Sequence, residues 1–68
     1  MKQIEVSMYE LTLDEAHEFL KKGKQILIYN SLFDRYLLKE TLRSFVLYMS
    51  LVSDLIKPYL KFFVFDLL

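Results

Sequence analysis

A helix pinned at both ends organises the first half of this chain. Thr12 and Glu15 form a T-x-x-E capping box, in which each side chain can satisfy the other residue's backbone N–H. Leu11 and Ala16 are spaced for the hydrophobic staple that often accompanies such a box. Asp14 and Glu15 fall in the first turn and Lys21 and Lys22 in the last, the arrangement the helix dipole favours. Gly23 then supplies the left-handed residue that ends a helix. Leu13, Ala16, His17 and Leu20 share one face at spacings of three and four. The spacing predicts a helix over 13–22 with one apolar side that must be buried against something.

The flanking segments read as strands. Ile4, Val6 and Met8 alternate with Glu5, Ser7 and Tyr9, the period of a half-buried strand. Gln25 to Tyr29 is apolar on both faces, as expected of a central strand. Beyond the turn opened by Asn30-Ser31 the pattern is ambiguous. Arg35 to Glu40 can return as a hairpin strand, the reading favoured here, or begin one long helix from about Leu32. Leu42, Phe45, Met49, Val52 and Ile56 then recur at alternating spacings of three and four. They predict a helix over roughly 42–56, capped by Thr41 and closed by Pro58, which cannot donate to the helical ladder. Leu38 falls on the same series. Lys61 to Phe65 is strand-like in its aromatic content. The expected class is therefore α+β, a single two-layer βαββαβ domain over residues 1–68 of the ferredoxin-like kind. Its alternative is βαβ followed by one long helix and a C-terminal strand. In the favoured arrangement one face of the sheet carries no helix.

Size makes that face important. A chain of 68 residues buries only about 60% of the surface it exposes when unfolded. Small domains usually compensate with disulfides, a metal or a partner. Cysteine is absent and His17 is the one histidine, which removes disulfides and most zinc arrangements. Yet 54% of the residues are hydrophobic and 16% aromatic. A small interior cannot hold them all, so some must lie at the surface, where apolar patches generally mark interfaces. Tyr9, Tyr29, Tyr36, Tyr59 and Phe63 are the candidate interaction surface, being the residue types that anchor protein contacts. Self-association, as a homodimer through a strand edge or the helix-free face, is expected.

Catalytic readings find little support. Asp14, Glu15 and Glu18 cluster, but capping and solubility account for them. His17 has no cysteine to activate, and packing at the core edge is its expected role. Gly23 is the only glycine, so neither a phosphate loop nor a strained nucleophile elbow can be built. No enzyme activity, metal or cofactor is expected. Nine basic residues balance nine acidic ones, and without a net field nucleic acid is not the expected partner. The run Lys61-Phe62-Phe63-Val64-Phe65 lacks the glycines of an aromatic RNA-recognition strand. Glu40 and Asp54 dilute the basic face that a membrane-surface helix would need. The longest uncharged stretch, Ser44 to Ser53, is too short for a span of about 20 residues. After Met1-Lys2 the chain continues Gln3-Ile4-Glu5, so no secretory leader is expected and the chain reads as cytoplasmic.

The stretch Thr12-Leu13-Asp14-Glu15-Ala16-His17-Glu18-Phe19-Leu20-Lys21-Lys22-Gly23-Lys24 resembles an opening of small phage-encoded proteins, T-x-x-E-A-x-x-x-L-K-x-G-K followed by a strand. Anti-defence proteins of the Thoeris-inhibitor and type II anti-CRISPR kind are among them. Those relatives continue with a basic, tryptophan-containing segment. Here Tyr29-Asn30-Ser31-Leu32-Phe33 follows and tryptophan is absent, so none of their ligand-binding residues carries over. The resemblance implies a compact accessory protein of a phage or mobile element, acting in the host cytoplasm. The expected function is a non-enzymatic protein-binding module that inhibits a host or defence protein by stoichiometric contact. The alternatives are a small-ligand, nucleotide-signal binder at a subunit interface, with Arg35, Arg43 and Tyr36 as converging polar groups, and a peripheral membrane protein.

Overall fold

The computed structural model describes residues 6–67 and gives the element order βαββαβ. Strand β1 spans Val6–Leu11, helix α1 Leu13–Lys21, β2 Ile26–Asn30, β3 Arg35–Lys39, helix α2 Leu42–Leu51 and β4 Leu60–Leu67. A short 3-10 helix, Lys57–Tyr59, precedes β4. The expected first strand began at Ile4, which lies outside the described residues.

Helix α1 follows its sequence signals closely. Thr12 N–H donates to Glu15 Oε1 at 2.9 Å, and Glu15 N–H donates to Thr12 Oγ1 at 3.2 Å. At the other end Gly23 takes φ +83°. The Lys24 N–H donates back to the Phe19 carbonyl and the Gly23 N–H to that of Leu20, closing the end as a Schellman-type cap. Leu11 and Ala16, the staple pair, are both buried.

Helix α2 starts on Thr41 as expected, the threonine hydroxyl accepting from Ser44 N–H. It stops at Leu51 rather than near residue 56. Val52 turns extended, with ψ 141°, and Ser53 begins a new turn. Its hydroxyl accepts from Leu55 N–H, and its carbonyl from the Ile56 and Lys57 N–H groups. The local serine turn competes successfully with continued helix. Residues 35–39 form a strand, so the alternative of one long helix through this region does not occur.

All neighbouring strands are antiparallel, in the order β1-β4-β2-β3. Two-layer α+β architecture is as expected. The ferredoxin-like strand order is not what forms, because that arrangement places β1 and β3 at the centre. Here the last strand inserts between β1 and β2, so β4 and β2 are central. Their doubly apolar sequences, KFFVF and QILIY, mark central position but not double coverage.

Both helices pack on one face. Ile26 and Ile28 of β2 and Leu60, Phe62 and Val64 of β4 alternate onto that side and join Leu11, Ala16, Leu20 and Phe45 in one buried cluster. Phe45 is fully buried; its ring lies 5.2 Å from His17 of α1 and 5.4 Å edge-on to Phe62. Leu42 and Met49 of α2 pack against this cluster, and Val52 and Ile56, expected in the same helix, reach it from the segment after the helix ends. Among the described residues, no helix is long and apolar enough to cross a membrane.

Two substitutions test this account. Gly23→Ala meets no neighbouring atom within 4 Å, so its cost is conformational alone, about 1–2 kcal/mol in urea unfolding. Phe45→Ala removes the ring shared by helices and sheet and should cost about 3–5 kcal/mol, visible as a lowered urea midpoint or loss of the cooperative transition.

Candidate functional site

Strand pairing places a continuous apolar band on the face away from the helices. Directly opposed residues in an antiparallel sheet share a face, and neighbours along a strand alternate. The register therefore aligns Glu10, Phe63, Leu27 and Leu38 in one row across all four strands. The next row carries Lys61, Tyr29 and Tyr36, and Met8 pairs with Phe65 on the other side. Tyr36 is 62% exposed, with Met8, Leu38 and Phe65 also open to solvent. Gln25 and Glu40 border the band and hydrogen-bond side chain to side chain at 3.1 Å.

The hairpin between β2 and β3 rigidifies one corner of this surface. The Asn30 side-chain oxygen accepts from the Leu32 and Phe33 N–H groups, a local turn typical of asparagine. Asp34 occupies the left-handed region at φ 52°, which aspartate tolerates better than most residues. Ser31 donates through both its N–H and its hydroxyl to the Tyr59 carbonyl, tying the hairpin to the start of β4. The Tyr29 and Tyr36 rings stack at 4.6 Å with a 30° tilt. Tyr29 donates its hydroxyl proton to Asp34 Oδ1 at 2.7 Å. That hydrogen bond, then partial burial and the carboxylate's charge, raise the Tyr29 pKa above the usual phenol value. Both aromatic side chains are thus held in place before any partner arrives, which lowers the entropy cost of binding.

Of the five candidate residues, Tyr29, Tyr36 and Phe63 come together on this face. Tyr9 does not: paired with Val64, it sits on the helix side at the sheet edge. Tyr59 lies in the 3-10 turn, outside the strands. Met8, Leu27, Leu38 and Phe65 join the face although they are not among the five candidates. Strand alternation was the signal for Leu27 and Phe65, but their grouping depends on strand order. A second apolar strip lies on the outer side of α2, where Val46, Leu47 and Leu51 are exposed, and Leu55 follows at 83% exposure.

The polar candidates take structural places. Glu15 completes the cap, Glu18 pairs with Lys21 at 3.4 Å, and His17 is half-buried against Phe45. Among the described residues, no group of three His, Cys, Asp or Glu side chains is placed to hold a metal ion. No family model, curated protein or solved structure matches this chain.

Removing the acceptor of the tyrosine hydrogen bond gives a direct check. In Asp34→Ala the Tyr29 phenol loses both its partner and the repelling charge, so it should ionise at lower pH than in the parent protein. An NMR titration of the tyrosine ring carbons reads this; an unchanged Tyr29 curve contradicts the bond.

Proposed function

We propose that this chain is a non-enzymatic protein-binding module that works by stoichiometric contact, using the helix-free sheet face first for a second copy of itself. The observation that carries the reading is the apolar row running unbroken from Phe63 through Leu27 to Leu38, flanked by the Tyr29–Tyr36 stack. Large exposed apolar patches on monomers are uncommon and generally mark interfaces.

The face suits a copy of itself. Two sheets packing face to face lie about 10 Å apart with strands nearly aligned. A two-fold axis along the strands, between β4 and β2, lays Phe63 over Leu27 of the copy and Lys61 over Tyr29. Glu10 then meets Leu38, so no like charges oppose. Four strands at about 4.8 Å spacing and some five residues at about 3.3 Å project to roughly 300 Å². A standard interface takes about 800 Å² of accessible surface per side, and Leu32 and Phe33, exposed at the hairpin tip, extend the apolar face at its rim.

Dimerisation leaves the α2 strip outward, available to an external protein. Inhibition of a host or defence protein by occupancy, in the manner of a phage or mobile-element accessory protein in the host cytoplasm, is the role that the resemblance of residues 12–24 adds to this reading.

Size-exclusion chromatography with light scattering over a concentration series is the test. The parent chain should run as a dimer, Leu38→Glu as a folded monomer, and Leu51→Glu as an unchanged dimer. A parent chain that stays monomeric throughout, or a Leu38→Glu variant that dimerises normally, would sink the proposal.

A further inference from the structure

On the helix side of the sheet, beyond the point where α2 covers the β2–β3 hairpin, a cavity of about 270 Å³ opens. Its lining is Ile28, Asn30, Arg35, Tyr36, Leu37 and Tyr48. We infer that this cavity is a binding site for a small organic anion, a single ring or short apolar body carrying a phosphate or carboxylate.

The polar groups lining it are suited to donating hydrogen bonds. The Asn30 side-chain oxygen is already occupied by the Leu32 and Phe33 N–H groups, so what Asn30 can still offer at the cavity is its amide donor. The Arg35 guanidinium, exposed at the sheet edge, has no ion-pair or hydrogen-bond partner among the described residues. The adjacent carboxylate that could neutralise it, Asp34, is engaged by Tyr29 on the opposite face of the sheet. Tyr48 contributes a phenol, and Lys39 places its ammonium 5.2 Å from the Tyr48 ring centroid. No carboxylate lines the cavity. One cation, Arg35, and two neutral donors thus border a space with no fixed anion, and guanidinium forks match phosphate and carboxylate geometry.

The remaining walls decide what the anion is attached to. Ile28 is almost wholly buried and Leu37 lies beside it, so an apolar part of the ligand would displace water from an apolar floor. The volume sets an upper size. At about 30 Å³ of liquid per water molecule the space corresponds to about nine waters, and it sits just below the usual range of roughly 300–1,000 Å³ for ligand pockets. A ring bearing one anionic group fits within this space. Arg35 and Tyr36 both border this space, whereas Arg43, the third polar group expected to converge with them, lies exposed on α2 and does not line it. Most of the cavity's lining faces away from the apolar sheet surface, and Tyr36 is the residue that borders both.

The experiment is an amide NMR titration with phenyl phosphate, inorganic phosphate and benzamidine as separate probes. Phenyl phosphate should give saturable shifts centred on Asn30, Arg35, Leu37 and Tyr48, with inorganic phosphate at least about tenfold weaker and benzamidine without effect there. Arg35→Gln, folded by circular dichroism, should weaken phenyl phosphate at least about tenfold, while Arg43→Gln leaves it unchanged. Absence of saturable shifts at about 10 mM phenyl phosphate, equal response to benzamidine, or full binding by Arg35→Gln would each overturn the site.

Discussion

The Phe45 ring is where the two helices and the sheet meet. It is fully buried, lies against His17 of α1 and meets Phe62 of the central strand edge-on. It shares one buried cluster with Ala16 and Leu20 from one helix and Ile26, Ile28 and Val64 from the two central strands. A domain of this length commonly has about 3–10 kcal/mol of net stability, and one buried aromatic can represent about 3–5 kcal/mol of it. Nearly everything else in the fold follows from seating that ring. The cap and staple at Thr12 fix α1 over the sheet, Thr41 starts α2 at the right place, and β4 must insert between β1 and β2 to bring Phe62 beneath the ring.

Seating one ring with one layer of helices leaves the sheet half covered. The alternation that turns Ile26, Ile28, Phe62 and Val64 inward turns Leu27, Tyr29, Phe63 and Phe65 outward. In a protein with helices on both faces those outward residues would be core. Here they form the open band, together with Leu38 and Tyr36 of the edge strand. The same hairpin shapes both proposed contacts. On the open side it presents the Tyr29–Tyr36 stack, held by Asp34; on the helix side it presents Arg35 and Asn30 around the cavity beyond α2.

Local structure was legible in the sequence wherever a signal lay within a few residues of its consequence. The T-x-x-E box, the glycine after Lys22 and the start of α2 at Thr41 each act through neighbours in the chain, and each appears as expected. The early end of α2 was harder to read, because it depends on a turn at Ser53 whose side-chain hydrogen bond competes with continued helix. Pro58 had suggested a later stop. Leu38 fitted the apolar series of α2 but belongs to β3, on the other face of the sheet. Strand order was not legible. The insertion of β4 between β1 and β2 is a pairing between distant segments, and no local pattern encodes it. That is also why Tyr9 and Tyr59 were grouped with Tyr29, Tyr36 and Phe63: aromatic character is visible in sequence, whereas facing depends on register. Exposure of Leu47, Leu51 and Leu55 was similarly unreadable, since apolar residues all round a helix ordinarily indicate burial.

On the proposed reading, the open sheet face is bare in the isolated chain and covered in the dimer. Methyl and aromatic NMR with a soluble paramagnetic probe measures this residue by residue. In dilute protein the probe should broaden Leu38, Tyr36 and Phe65 strongly and spare Ile26, Ile28 and Phe45. As concentration rises, the first group alone should become protected. If Leu38 and Tyr36 are shielded at every dilution, another part of the chain already covers the face; if they stay open at every concentration, the face is not where copies of this protein meet.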